Sequence, residues 1–162
     1  MVDFTVRVRA AQPDDAAGIA ELIVRLGTFK HHFEGLPADA IQQRVGKQLN
    51  SCLVDNSHTV LVAVTAPDRI VGYAAVHWLP YLFMPGPEGY VSELFIEDAA
   101  RGQGIGTQLL ESVKQEAQAR GCARLSLINI RDRESYQRGF YAKLDWQERP
   151  DAANFIYQLR RS

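Results

Sequence analysis

The stretch ELFIEDAARGQGIGTQLLESVKQEA, Glu93–Ala117, opens with an apolar run, passes through three glycines in five residues and continues as helix-like sequence. A strand ending just before RGQGIG and a helix starting inside it leave several backbone N–H groups without an intrahelical acceptor. Glycine at 102, 104 and 106 removes the side chains that would keep a phosphate away from those amides, and the helix dipole favours an anion there. Arg101 adds a cation beside them. A nucleotide-hydrolysing loop needs GxxxxGK and then Ser or Thr, and these six residues contain no lysine. A dinucleotide fold wants GxGxxG in an early strand–helix unit, whereas GxGxG stands late in this chain. The remaining alternatives are a phosphate cradle of another kind and a glycine-rich turn that binds nothing.

Working outward, Phe4–Ala11 alternates as a half-buried strand, and Pro13 with the acids Asp14 and Asp15 opens a helix that Gly27 ends. Thr28–Leu36 is a turn-rich connection, and a second amphipathic helix is expected over Pro37–Ser51. His58–Ala66 and Arg69–Leu79 read as a hairpin around Pro67 and Asp68. The segment Pro80–Gly89 is too proline-rich for a sheet. Tyr90–Glu97 is the strand before the glycines, the helix after them runs through Arg120 to Gly121, and Ala123–Ile130 is a buried strand. A helix over Arg133–Leu144 and a closing pair of strands, Asp145–Arg149 and Asn154–Arg160, complete the order. The hairpin implies antiparallel pairing and the strand–helix–strand unit a parallel pair, so the sheet is expected to be mixed.

The chain of 162 residues fits one domain, expected to span 1–162, and its 46% hydrophobic and 23% charged residues are an ordinary soluble composition. Eighteen Lys and Arg against 19 Asp and Glu provide no field of one sign for nucleic acid or an anionic membrane. The N-terminal residues lack the apolar core of a signal peptide, and no run of about 20 apolar residues exists, so a cytoplasmic protein without a membrane partner is expected. Cys52 and Cys122 have neither metal-ligand spacing nor a disulfide framework. His31 and His32 are adjacent and do not converge as ligands, so no metal is expected. His77 is read as structural, and Glu34 as a solvated loop acid.

The segment VSELFIEDAARGQGIGTQLLESV, Val91–Val113, is similar to the coenzyme-A-binding motif of the GNAT N-acetyltransferases, and the order of elements resembles that family across nearly the whole chain. The resemblance implies an α/β fold with a mixed, mostly antiparallel sheet of six or seven strands, about four flanking helices, and a splay between the fourth and fifth strands. It implies acetyl-CoA as cosubstrate, with its pyrophosphate at an Arg-x-x-Gly-x-Gly loop matched by Arg101, Gly104 and Gly106. The backbone amides of Gly102, Gln103, Gly104, Ile105, Gly106 and Thr107 would carry it. The main chain of Leu94, Phe95 and Ile96 would pair with the pantetheine arm as with another strand. A homodimer is frequent in the family, and the loop with Tyr81, Phe83 and Met84 could serve one or wall a pocket.

Acetyl transfer to an amine needs a neutral nitrogen, a polarised carbonyl and a proton for the departing thiolate. Glu93 is the only carboxylate within YVSELFI and the candidate base, directly or through water, and a water chain ending elsewhere is the competitor. Strand alternation puts Glu93 on one face with Val91 and Phe95, opposite Ser92 and Leu94. The polyamine-acetylating branch has two consecutive acids here, the first of which is Ser92 in this chain. The backbone N–H of Phe95 or Leu94 would polarise the carbonyl. Tyr141, in FYAKLDW, matches the family's Phe-Tyr-x-x-x-Gly-Phe pattern and would protonate the thiolate, although Asp145 and Trp146 replace its Gly and Phe. Glu134 and Gln137 also replace the family's frequent Asn and Ala. These residues together imply N-acetylation of a small-molecule primary amine by direct attack in a ternary complex, with no cysteine nucleophile. The alternatives are a protein or peptide N-acetyltransferase and a non-catalytic acyl-CoA sensor.

Overall fold

The computed structural model describes residues 5–159. It divides into two compact units, residues 1–128 and 129–162. The first unit contains one five-stranded sheet in the order β1–β2–β3–β4–β5. The strands are β1 Arg7–Ala10, β2 His58–Thr65, β3 Arg69–Leu79, β4 Glu88–Ile96 and β5 Arg124–Leu127. Neighbours pair antiparallel except β4 and β5, which run parallel. The expected mixed, mostly antiparallel architecture is thus observed. Phe4, where the first strand was expected to start, lies outside the described residues, as does Arg160.

Pro13–Asp15 forms a 3-10 turn in which Asp15 accepts from the Gln12 amide at 2.7 Å and grips Arg9 through both oxygens. From it starts α1, Ala16–Leu26, and Gly27 ends that helix in the left-handed conformation. The second helix, α2, is Ala38–Leu53, and α3 is Ile105–Ala119. Apolar residues of α1 and α2, among them Ile19, Leu22 and Leu49, pack on the sheet face bearing Val60, Val62, Val64, Tyr73 and Ala75. The fully buried Leu109, Leu110 and Val113 of α3 pack on the sheet from the opposite face, each contributing about 1.5–3 kcal/mol by burial. The C-terminal end of α3 is pinned by Arg120, which lies 4.7 Å over the Trp78 ring and donates to the Asn56 carbonyl.

Glu88 and Gly89 belong to β4, so the proline-rich connection ends earlier than its composition suggested. Buried Glu88 accepts from Arg124 and, at 2.7 Å, from Ser126, which ties β4 to β5. The parallel ladder nevertheless runs only from Glu88↔Arg124 to Val91↔Leu127. It stops at the residue before a bulge. On the other side of β4, Val76 pairs with Val91 and Ala75 with Glu93, so Ser92 is an extra residue. A bulge bends and twists its strand. Here the twist coincides with the end of β4–β5 pairing, which is why residues 128–130 are not strand as the sequence suggested.

The second unit contains a short helix, α4, Glu134–Gln137, and a 3-10 turn over Ala142–Leu144, instead of one helix over Arg133–Leu144. Gly139, with φ +66°, interrupts the helix. Asp145 ends the 3-10 turn at φ 66°, a left-handed position that aspartate tolerates better than most residues. The expected closing strands do not form a ladder among the described residues. Phe155, Ile156, Tyr157 and Leu159 all expose their side chains, so apolar alternation in this segment is not converted into burial, and among the described residues the sheet has five strands rather than six or seven. No helix among the described residues is long and apolar enough to cross a membrane.

Candidate active site

The glycine stretch is built as a cradle. After β4, Glu97 forms an ion pair with Arg25 of α1 at 3.3 Å and accepts a hydrogen bond from Arg69 of β3, which fixes the root of the loop to two other elements. Asp98–Ala100 forms a 3-10 turn anchored by buried Ala100. Gly102 and Gly104 then adopt φ of +76° and +77°, and a Cβ on either would meet no atom within 4 Å. Packing therefore does not demand glycine there. Backbone conformation does, and each bare Cα faces open space. Gly104 is the N-cap of α3, and the first bond into the helix runs from the Gln108 amide to the Gly104 carbonyl at 3.0 Å. The amides of Ile105, Gly106 and Thr107 precede that bond and are the ones a helix leaves without an internal acceptor. Arg101 forms an ion pair with Asp98 at 2.9 Å, so its guanidinium stands beside the same loop. Gln103 lies between the two glycines.

Beyond Val91, β4 has no strand partner on its β5 side among the described residues, so the expected splay between the fourth and fifth strands leaves an open edge there. The backbone divides the three predicted pantetheine contacts. The Glu97 amide donates to Val71 of β3 at 2.8 Å, so two-residue alternation turns the main-chain groups of Phe95 toward β3 and those of Leu94 and Ile96 toward the open side. The edge available to an added strand is therefore Leu94 and Ile96, and Leu94 rather than Phe95 has an amide directed to the open side.

The bulge also corrects the face assignment of Glu93. Val91 pairs with Val76 and Glu93 with Ala75, and adjacent β3 residues point to opposite faces. Glu93 thus shares a face with Phe95 but not with Val91, while Ser92, on the bulge, joins Glu93 on that face and contacts His77. Tyr73, buried on the same face, donates its hydroxyl to Glu93 Oε2 at 2.5 Å. Burial, reinforced by Glu93, pushes the Tyr73 phenol well above its usual value, so it remains a donor. The hydrogen bond from Tyr73 holds one of the two carboxylate oxygens of Glu93. Phe29, from the connection after α1, meets Phe95 edge-to-face at 4.9 Å, and Cys52 of α2 feels the Glu93 charge. Burial and that charge push the Cys52 thiol upward, and burial raises Cys122 as well, so neither is poised as a thiolate. No group of three or more His, Cys, Asp or Glu side chains arranged for a metal occurs among the described residues.

In the second unit, Tyr141 packs between Phe140 and Trp146, with ring centroids 5.0 and 6.1 Å away. Burial pushes its phenol up. Glu134 opens α4, and Gln137 donates to the Arg131 carbonyl at 2.7 Å. The sequence reasoning did not identify Tyr73 as a neighbour of Glu93. Alternation along β3 offered Tyr73, Ala75 and His77 as one face, but which of them meets Glu93 depends on a register that the bulge shifts.

The chain has relatives among known proteins. It is 28% identical to the bovine (Bos taurus) protein named thialysine N-ε-acetyltransferase over 153 residues, covering 89% of this chain and 78% of the relative. It is also 28% identical to an aminoglycoside N(6′)-acetyltransferase type 1 of Stenotrophomonas maltophilia, over 78% of this chain and 76% of that one. A solved structure of a transcriptional regulator from Bacillus halodurans C-125 shares the fold, with a TM-score of 0.79 at 23% identity, over 94% of this chain and all of that one. The model of the acetyltransferase (GNAT) family matches residues 24–146, from within α1 through the glycine cradle to Trp146. The chain therefore belongs to the GNAT acetyltransferases, a family of acyltransferases that use acetyl-CoA as cosubstrate.

Proposed function

We propose that this protein transfers the acetyl group of acetyl-CoA to a primary amine of a small molecule, by direct attack in a ternary complex. The observation that carries the proposal is the open half of β4, which joins a free strand edge, a fixed carboxylate and a bare helix entrance within one continuous stretch of chain. The residues fit the coenzyme. Gly102 and Gly104 leave space where side chains would stand, the amides of Ile105, Gly106 and Thr107 need an acceptor, and Leu94 and Ile96 offer a ladder edge. Arg101 can exchange Asp98 for a phosphate oxygen.

Acetyl-CoA supplies a thioester whose carbonyl carbon accepts the amine. The Leu94 amide donates toward the carbonyl oxygen, where negative charge develops. Glu93, held by Tyr73, attracts the ammonium form of the acceptor and orients it, and takes its proton directly or through water. Tyr141, protonated at neutral pH, gives a proton to the leaving sulfur. The high thiol values of Cys52 and Cys122 argue for transfer without a covalent acetyl-enzyme. A small-molecule acceptor is favoured by the names of the relatives, which specify thialysine and an aminoglycoside amine.

The test is turnover of acetyl-CoA with thialysine, a 6′-amino aminoglycoside and a peptide with a free N-terminus. Turnover with one of the small amines is expected, with Glu93→Gln and Tyr141→Phe each lowering kcat/KM by about 10²-fold or more. Full activity in both variants would remove their roles. Exclusive acetylation of the peptide would contradict the acceptor class, and coenzyme binding without turnover on any amine would leave a sensor.

A further inference from the structure

Glu93 is not alone on its face of the sheet. The bulge that displaces Ser92 sets two consecutive polar side chains beside the open half of β4, and Ser92 Oγ lies 2.8 Å from His77 Nε2, closer than its other acceptor, the Ala75 carbonyl at 3.4 Å. From there a polar lane crosses the sheet. His77 on β3 meets His58 on β2 edge-to-face, with ring centroids 4.5 Å apart, and His58 Nδ1 lies 2.6 Å from Ser57 Oγ. Ser57 donates its single proton to Asp55 Oδ1 at 2.5 Å, so it accepts from His58 Nδ1–H, which leaves His58 Nε2 as an acceptor in the neutral ring. Asp55 stands in the exposed turn between α2 and β2. The lane therefore begins next to the candidate base and ends at solvent.

We propose that Ser92 and His77 form a proton relay that takes the proton of the bound ammonium away from the acceptor and releases it to water. The proposal rests on the acetyltransferase reading above and assigns to Ser92 the position at which the polyamine branch of the family carries a second acid. In the step, the ammonium N–H proton moves to Ser92 Oγ as the Ser92 hydroxyl proton moves to His77 Nε2. The products are a neutral amine, an intact serine hydroxyl and an imidazolium, which returns its proton to bulk water. No bond to carbon changes and no further reactant is needed. The relay takes over the proton that the reading above gave to Glu93: a carboxylate that orients the ammonium by charge would lose that attraction on taking it, so a separate acceptor lets Glu93 remain charged during attack.

His77 faces His58 from β2, Tyr90 at 6.1 Å and Ser92 from β4, with Glu93 one residue further along the bulge. Burial, with the neighbouring His58, lowers its basicity below that of an ordinary histidine. His77 is therefore neutral at pH 7 and available as an acceptor. It acts through Ser92 and is a positioning residue in this scheme, whereas Ser92 contacts the acceptor.

The experiment is the pH profile of kcat/KM for acetyl-CoA turnover, with the best acceptor among the three amines above, in the unmodified chain, His77→Gln and Ser92→Ala. Glutamine keeps a hydrogen bond to Ser92 but cannot take up a proton at this pH. Both variants are expected to lose about 10-fold or more in kcat/KM at pH 7 and to recover toward alkaline pH, where the amine is itself neutral. Added imidazole is expected to restore His77→Gly in part. A variant that folds, by its circular dichroism and melting temperature, and retains the unmodified pH profile would overturn the relay while leaving the acetyltransferase reading intact. A loss that is uniform across pH and insensitive to imidazole would make His77 structural and overturn it equally. Absence of turnover by the unmodified chain with every amine would overturn both proposals.

Discussion

Gly104→Ala separates what the glycine loop needs for folding from what it needs for binding. Gly104 sits at φ +77°, and an added methyl would find no atom within 4 Å, so the substitution meets no steric obstacle in the protein itself. Its cost is the left-handed conformation, about 1–2 kcal/mol. At about 2–4 °C per kcal/mol for a chain of this size, the melting temperature falls by about 2–8 °C. Gly121 provides a matched control at the other end of α3, with φ +67° and equally open surroundings. Gly121→Ala is expected to cost the same without coenzyme. With coenzyme A at about 100 times its Kd, linkage stabilises the unmodified chain by about 2.7 kcal/mol. If the new methyl crowds the pyrophosphate enough to weaken binding tenfold, Gly104→Ala retains about half of that, and Gly121→Ala retains all of it. Thermal melts of the three proteins with and without coenzyme A measure both quantities. An equal coenzyme-induced shift in all three would refute the placement of the pyrophosphate at this helix entrance.

Other perturbations probe the supports of the site. Glu88→Gln weakens the hold of Arg124 and Ser126 at the closed end of the β4–β5 pair and is expected to cost about 1–3 kcal/mol in urea unfolding, since half-exposed Arg124 can regain water. Tyr73→Phe removes the donor that orients Glu93 and is expected to raise KM for the amine about tenfold with little effect on coenzyme binding, measured by initial rates. Stability is also expected to depend on pH through His77. Its basicity is lower in the folded chain than in the unfolded one, so above about pH 6.5 the ring is neutral in both states, and as pH falls the unfolded chain protonates first. Stability therefore declines as pH drops through that region, and His77→Gln is expected to flatten the decline in melts across pH 5–8.

Much of the fold was legible because its signals are local. Pro13 with its acids, Gly27 at a helix end, alternation in β2 and β3, and the glycines before α3 each state a backbone requirement within a few residues. The glycine loop was legible where it depends on that same backbone: Gly102 and Gly104 stand at the entrance of α3, as the spacing implied. What failed depends on register. Ser92 carries no mark of a bulge, yet the extra residue moves Glu93 off the face of Val91, turns Ser92 toward His77 and ends the β5 ladder before Ile128. Tyr73 became a neighbour of Glu93, and His77 a neighbour of Ser92, only through that shift. Glu88 was passed over because a carboxylate beside Gly89 resembles a turn, whereas its partners Arg124 and Ser126 lie more than 30 residues away. At the C-terminal end, the apolar residues Phe155, Ile156 and Tyr157 had the composition of a strand, but strand formation also needs a partner edge, which composition does not encode.

The central claim is direct transfer from acetyl-CoA to a small amine bound at the same time. Initial rates measured while acetyl-CoA and the best amine are varied together, with the product identified by mass spectrometry, test it most directly. Intersecting double-reciprocal lines and a singly acetylated amine are the expected result. Parallel lines, indicating an acetyl group parked on the protein, or coenzyme binding with no acetylated amine from any acceptor, would contradict it.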